Sequence, residues 1–152
     1  MNVLVLNSGS STLKFELVVT DPERMRRDDD HRLARGVVER IGGEAVLELT
    51  VGDGPKRVET ARLADTRAAV DWILRWIAFP DSGSGIAGLA DIDAVGHRVV
   101  HGGEAFRSSV RVDDRVLSTL QDMIHLAPLH NPYNLKGIHA IRDLLGMGVP
   151  QV

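Results

Sequence analysis

The chain has 152 residues and a formal net charge of −3, with 43% hydrophobic and 26% charged residues, which is typical of one globular domain. The weak negative charge disfavours nucleic acid or an anionic membrane as a partner, and no apolar run approaches the ~18 residues of a membrane-spanning helix. The absence of cysteine excludes a disulfide framework and a thiolate metal site. Because the N-terminus lacks the basic region of a signal peptide, the sequence favours a cytoplasmic protein.

The first half of the chain has the pattern of a β meander. Short runs rich in β-branched residues and leucine are separated by turn signals, and Phe15 and Leu17 are expected on one face of their strand. Gly52-Asp53-Gly54-Pro55 is a hairpin signal. The predicted elements are strands at 3–6, 13–19 and 34–41, a charged solvated loop at 21–32, and a hairpin of strands at 45–51 and 57–60.

In the second half, helical patterns alternate with strands. Asp65 is the expected N-cap of a helix that ends before Pro80. Asp113 or Asp114 is the expected N-cap of a second helix. A third helix is expected with Asn131 at its N-cap, Pro132 at N1 and Gly146 at C′. Further strands are expected at 92–100 and from Val149 onward. The order β-β-β, hairpin, α-β-α-α-β predicts an α/β fold, a mixed sheet with helices, and resembles the ribonuclease-H-like domain shared by actin, Hsp70 and sugar kinases.

The first motif is the turn between the first two strands, residues 7–14. Its small hydroxyl residues and backbone N–H groups suit phosphate oxygens, and Lys14 adds a point charge. Gly9 allows a positive φ and a close approach of ligand, and the Asn7 amide oxygen suits a Mg²⁺-bound water. A polar hairpin turn without a ligand is the alternative. The pattern is not a P-loop, because the Gly-x-x-x-x-Gly-Lys-Ser/Thr spacing is missing and no helix follows.

The second motif, residues 96–104, ends a predicted strand in a Gly-Gly turn. Alternation places Arg98 and Val100 on one face, where a guanidinium beside an apolar side chain suits a short carboxylic acid. A surface arginine beside a core valine is the alternative. His97 and His101 are four residues apart, but the helix and the glutamate of a zinc protease are missing, so we expect both histidines to be packed and hydrogen-bonded.

The third motif, residues 126–135, places His130 directly before a predicted helix N-terminus, which attracts anions such as a phosphoryl group. A structural loop histidine is the alternative. Leu129 is expected to join Val100 in an acyl pocket. Residues 83–88 match the Gly-x-Gly-x-x-Gly dinucleotide pattern, but they follow a helix and precede a strand, so we interpret them as a flexible loop.

Together, the order and spacing of these segments resemble the acetate kinase family over the whole chain. The segments that carry the resemblance are Asn7-Ser8-Gly9-Ser10-Ser11-Thr12-Leu13-Lys14-Phe15, Gly96 to Glu104, and Leu126-Ala127-Pro128-Leu129-His130-Asn131-Pro132. The resemblance implies a role for each matching residue. These are Asn7 for Mg²⁺; Ser10, Thr12 and Lys14 for the ATP phosphates; Arg98 for the acetate carboxylate or the acyl phosphate; Val100 and Leu129 for the methyl pocket; and His130 for the phosphoryl group in transit.

The function implied by the resemblance is reversible phosphoryl transfer from ATP to acetate, giving acetyl phosphate and ADP, with Mg²⁺ or Mn²⁺. Residues 1–152 would be the N-terminal domain, and the full-length protein a homodimer. The family's Phe-Asp-Thr aspartate, a later histidine, a second arginine, a Mg²⁺-binding glutamate and the adenosine loops have no counterpart here, so the chain alone is expected to be inactive. The alternatives are a propionate or butyrate kinase, a non-catalytic nucleotide-binding module like actin or Hsp70, and a structural or interaction domain.

Overall fold

The computed structural model describes residues 1–152 and has one six-stranded mixed sheet at its centre. The strand order is β5-β4-β3-β2-β1-β6, in which β1 and β6 are parallel and every other neighbouring pair is antiparallel. This agrees with the predicted meander and hairpin. The strands are β1 (Asn2–Ser8), β2 (Thr12–Val19), β3 (His31–Glu39), β4 (Gly43–Val51), β5 (Arg57–Leu63) and β6 (Ala94–His97).

The two faces of the sheet differ in burial. In the β1–β2 register, Leu6 lies opposite Phe15 on the buried face, whereas Asn7 lies opposite Lys14 on the other face. Phe15 packs edge-on against Trp76 with the ring centroids 5.9 Å apart. Because side chains alternate along a strand, the polar motif residues are presented away from the core.

The four helices are α1 (Pro22–Arg27), α2 (Thr66–Ala78), α3 (Asp114–Asp122) and α4 (Asn131–Leu145). The helix α1 is exposed and buries no side chain, so the buried side of the domain is formed with the other three. Asp65 and Asp113 cap α2 and α3 through their side chains, and Pro80 follows the end of α2, as predicted. α2 and α4 pack on the main core, while a smaller cluster of Leu117, Leu120, Leu135 and Ile138 joins α3 to α4. No helix is long and apolar enough to cross a membrane.

One local prediction was wrong. The segment 21–32 is not a plain loop, because Asp21 accepts hydrogen bonds from the N–H groups of Glu23 and Arg24 and begins the exposed helix α1. The glycine-rich segment 83–88 is a loop, as predicted, and it neither follows a strand nor starts a helix. Within this loop Ser84 is buried and donates its hydroxyl hydrogen bond to the carbonyl oxygen of Ile77.

The last residues of the chain extend the sheet beyond β6. Gln151 forms a parallel bridge with Val95, and the His97 N–H donates to the Val152 carbonyl oxygen at 2.7 Å. The strand predicted from Val149 is therefore present as a short parallel bridge. β1, β6 and this segment run in the same direction, so their carboxyl ends meet at one edge of the sheet, where α/β proteins usually bind ligands.

Candidate active site

The turn between β1 and β2 presents the first group of predicted site residues. The Gly9 N–H donates to the Thr12 carbonyl oxygen at 2.8 Å. A Cβ on Gly9 would lie 2.7 Å from Thr12 Oγ1, so the glycine is needed for close packing; the expected positive φ is not found. Ser10 is exposed at the tip, Thr12 is half-buried, and Lys14 is exposed without an ion pair. The turn thus leaves its polar groups available to an anion.

The second motif departs from a strand earlier than predicted. β6 ends at His97, and the Arg98 N–H makes the last ladder contact, to the Leu6 carbonyl oxygen at 3.1 Å. Beyond it, the Val100 and His101 N–H groups bond to side chains of α4, so the ladder cannot continue to residue 100. Arg98 and Val100 are both exposed, and Arg98 forms no ion pair.

The two histidines of this motif do not form a metal site. His97 lies on the buried face, where its Nε2 is 2.7 Å from Gln151 Oε1, and burial lowers its pKa to about 4. His97 is therefore neutral at pH 7. His101 is exposed, contrary to the expected packing, and its Nδ1 accepts a hydrogen bond from the Gly103 N–H at 2.9 Å.

The N-terminus of α4 is one residue earlier than predicted. The N-cap is His130 rather than Asn131, and its side chain makes no capping hydrogen bond. The Asn131 side chain is directed instead into the protein, where it bonds to His101. The His130 side chain is exposed, and Leu129 is 76% exposed, so neither is fixed by packing. His130 nevertheless stands at a helix N-terminus, where the unpaired N–H groups favour anions.

Two buried asparagines of α4 join the three motifs. Asn134 donates from Nδ2 to the Ser8 carbonyl oxygen at 2.7 Å and accepts at Oδ1 from the Val100 N–H at 3.1 Å. Asn131 accepts from the His101 N–H at 3.3 Å and donates to the His101 carbonyl oxygen at 2.9 Å. The backbones of the three motifs therefore meet beside the start of α4. From the sequence Asn131 was expected only as a helix cap and Asn134 had no expected contact, although their spacing of three places both on one face of a helix.

Three of the predicted side chains, those of Asn7, Lys14 and Arg98, line two adjoining cavities that share Val5. One, of about 480 Å³, contains Asn7 and Lys14. The other, of about 510 Å³, contains Arg98 and Arg107. Ser10, Thr12, Val100, Leu129 and His130 line neither of these two cavities.

The Arg98 cavity has the character of an anion site. Its lining includes Arg98, Arg107, Ser108 and Ser109 and contains no aspartate or glutamate side chain. Neither arginine forms an ion pair. Two guanidinium groups without an acidic partner leave positive charge that a carboxylate or phosphate can neutralise. Arg107 was not singled out from the sequence, because an exposed arginine in a loop gives no local signal.

The residues present do not by themselves make a Mg²⁺ site. Asn7 offers one amide oxygen, and Glu16 on the same sheet face is paired with Arg32 at 3.5 Å. No cluster of three or more histidine, aspartate or glutamate side chains is suited to hold a metal. Mg²⁺ in phosphoryl-transfer sites is usually bound by one or two carboxylates together with substrate phosphates, so we derive no chemical step through a metal.

Comparison with known proteins gives the chain close relatives among acetate kinases. It is 56% identical over its whole length to the acetate kinase of Solibacter usitatus (strain Ellin6076), of which it covers 37%, and 46% identical to that of Chloroherpeton thalassium (strain ATCC 35110 / GB-78), of which it covers 38%. The chain thus spans little more than a third of the length of these relatives.

Solved structures show the same fold. The crystal structure of Porphyromonas gingivalis acetate kinase matches 99% of this chain with a TM-score of 0.89 at 41% identity, and the chain covers 36% of it. A propionate kinase from Francisella tularensis subsp. tularensis SCHU S4 matches with a TM-score of 0.81 at 29% identity, with 99% of this chain and 35% of that chain covered. Because the sequence pattern of the acetokinase family also matches residues 2–152, the chain belongs to that family.

Proposed function

We propose that this chain is the N-terminal, acceptor-binding domain of an acetate kinase, an enzyme that moves a phosphoryl group reversibly between ATP and acetate. The observation that carries the proposal is Arg98: an exposed, unpaired guanidinium that lines a cavity without acidic side chains, together with the apolar side chains of Val5 and Val99. Such a site suits a small carboxylate with a short alkyl group. The family's shared sequence pattern supports the same assignment.

The chemistry requires positioning and charge stabilisation more than proton transfer. Acetate is ionised at neutral pH, so its oxygen attacks the γ-phosphorus without a general base. Arg98 would bind the acetate carboxylate, and later the acyl phosphate, while Lys14 attracts the phosphates of ATP. His130, at the start of α4, would donate a hydrogen bond to the phosphoryl oxygens in transit.

The smaller residues would complete these two substrate sites. Ser10 and Thr12 would donate hydroxyl hydrogen bonds to the ATP phosphates. Val100 and Leu129 would contact the acetate methyl group, and since they are 39% and 76% exposed, a closed methyl pocket needs another surface against them. Asn7 would offer one amide oxygen to a Mg²⁺ ion bound with the nucleotide phosphates, and the carboxylate ligands of such an ion are not supplied by the residues around Asn7.

A propionate kinase is the second candidate. The Arg98 cavity of about 510 Å³ also has apolar walls from Phe106, Val112 and Val116, which admit a longer acyl chain, and a propionate kinase shares this fold. One methylene group changes discrimination by about 1–3 kcal/mol, or about 10- to 200-fold. The ratio of kcat/KM for acetate and propionate therefore decides between the two.

The test is a hydroxamate assay for acetyl phosphate with a complete kinase that carries this chain. Loss of one partner of a desolvated charge pair costs about 2–5 kcal/mol, so Arg98→Ala should lower kcat/KM for acetate roughly 30- to 3,000-fold. Arg98→Lys should recover little, because an ammonium lacks the planar fork. Arg75→Ala is the control, since Arg75 is paired with Asp71 on the outside of α2. Near-normal acetate kinetics after Arg98→Ala would exclude Arg98 as the residue that binds the carboxylate. A complete protein that makes neither acetyl phosphate nor propionyl phosphate would exclude the proposed kinase function.

A further inference from the structure

The two buried asparagines of α4 contact the candidate site differently. Asn131 is 1% exposed and Asn134 3% exposed, and each uses its whole amide to bind backbone groups of other segments. A buried amide left without partners destabilises a protein by about 1–3 kcal/mol. These contacts therefore stabilise the relative positions of the segments that they join.

Of the two asparagines, only Asn134 contacts both the phosphate side and the acyl side of the proposed site. Its Nδ2 binds the carbonyl oxygen of Ser8, the last residue of β1, from which the phosphate-side turn begins. Its Oδ1 binds the N–H of Val100, two residues after Arg98. The planar amide keeps Oδ1 and Nδ2 at a fixed distance from each other, so this one side chain links the backbone at Ser8 to the backbone at Val100. Asn131 binds only His101, on the acyl side.

The acyl-side segment after Arg98 is held by one apolar contact, in which Val99 packs against the cluster of Leu117, Leu120, Leu135 and Ile138, and by hydrogen bonds from α4. The sheet ladder stops at the contact between the Arg98 N–H and Leu6, and both Val100 and His101 are exposed. Apolar packing therefore anchors Val99, whereas the backbone N–H groups of Val100 and His101 are held by the asparagine amides.

We infer that Asn134 is a positioning residue that couples the phosphate-side turn to the acyl-side segment, whereas Asn131 positions the acyl side only. The inference rests on the proposed function, in which nucleotide phosphates bind at the turn and the carboxylate at Arg98. Through Asn134, occupation of one side orders the other, and such coupling is reciprocal between two ligands. Without Asn134 the two substrates would bind more nearly independently.

The kinetic test compares Asn134→Ala with Asn131→Ala in a complete kinase that carries this chain. Each variant loses two hydrogen bonds from the same helix face, so general damage to α4 should be alike in both. Asn134→Ala should raise KM for ATP and for acetate, each about 5-fold or more. Asn131→Ala should raise KM for acetate alone. The dependence of KM for acetate on ATP concentration should weaken only in Asn134→Ala. Equal effects of the two variants on ATP, or no effect of Asn134→Ala, would overturn the inference.

A second readout does not depend on catalysis. In amide hydrogen exchange on the 152-residue chain, Asn134→Ala should deprotect the Val100 N–H and leave that of His101 protected, and Asn131→Ala should do the reverse. If Asn134→Ala does not fold, Asn134→Leu keeps the branching of the side chain at Cγ, leaves no cavity and removes the same two bonds. An inactive complete kinase with this exchange pattern would refute the proposed function but keep the positioning contacts, whereas an active kinase with unchanged Val100 exchange would refute the inference alone.

Discussion

Gly137 allows α4 to approach the end of β1, and its replacement by alanine measures how close that approach is. A Cβ at Gly137 would lie 2.3 Å from Ser8 Oγ, 3.3 Å from Ser8 Cβ and 3.9 Å from His97 Nδ1. In an exposed helix, changing glycine to alanine stabilises by about 1 kcal/mol. Here the new methyl group must displace a buried side chain, and overpacking of that kind costs about 1–3 kcal/mol. The contact with Ser8 is close enough to justify the upper part of this range, about 2–3 kcal/mol, and after the gain of about 1 kcal/mol is subtracted we expect Gly137→Ala to destabilise the chain by about 1–2 kcal/mol.

Ser8 provides a way to isolate the cause. Its hydroxyl is buried and has no hydrogen-bond partner, so Ser8→Ala alone should change the free energy of unfolding by less than about 0.5 kcal/mol or stabilise the chain. In the double variant the hydroxyl oxygen that clashes is absent. The pair should consequently show a favourable coupling free energy of about 1 kcal/mol or more in a double-mutant cycle.

Thermal unfolding followed by circular dichroism is a sufficient assay. At about 2–4 °C per kcal/mol for a chain of this size, Gly137→Ala should lower the Tm by about 2–8 °C. Gly148→Ala is the matched control, because no atom lies within 4 Å of a Cβ built there. A Tm that rises after Gly137→Ala, as it would for a solvent-facing helix glycine, would show that the contact with Ser8 is not close.

Three further predictions concern charge and completeness. Burial lowers the pKa of His97 from 6.5 to about 4, so the stability gained by burying the neutral imidazole is fully present above about pH 6.5 and is lost as pH falls toward 4. Unfolding in urea should show that the free energy of unfolding falls by about 2 kcal/mol between about pH 7 and about pH 5. A His97→Gln variant whose stability fell as steeply would contradict this. Arg107→Gln should raise KM for acetyl phosphate about 2- to 10-fold in a complete kinase and leave KM for ATP unchanged, because Arg107 shares the cavity of Arg98; equal effects on both substrates would exclude that role. The 152-residue chain alone should make no acetyl phosphate in the hydroxamate assay, and turnover within about tenfold of a complete kinase would show that all essential groups lie within it.

Local signals explain what the sequence predicted correctly in the fold. The caps at Asp65 and Asp113 were found because a short polar side chain precedes an apolar period, which is a pattern contained in a few neighbouring residues. The helix α1 was not predicted because this local apolar pattern is missing from it. It buries no side chain, so its charged sequence has no apolar period, and only Asp21 followed by Pro22 marked its start.

The candidate site was less predictable because its geometry depends on distant residues. The polar turn at Asn7 and the exposed Arg98 were recognisable as groups that suit anions. The early end of β6 could not be recognised in the sequence, because it results from hydrogen bonds with Asn134 and Asn131. These asparagines lie 34 and 30 residues away from their partners in the loop. The roles proposed for Ser10, Thr12, Val100, Leu129 and His130 stay predictions.

The parallel pairing of β1 with β6 also bears on the order in which the domain folds. β1 to β5 join neighbours through short connections, whereas the contact of Asn2 with Asp93 spans 91 residues and that of Ser8 with Asn134 spans 126. Closing long loops loses chain entropy before the contacts form, so such pairings tend to form late. The candidate site lies on this seam. We therefore expect the meander to form first and the ligand-binding edge to be completed in the last step of folding.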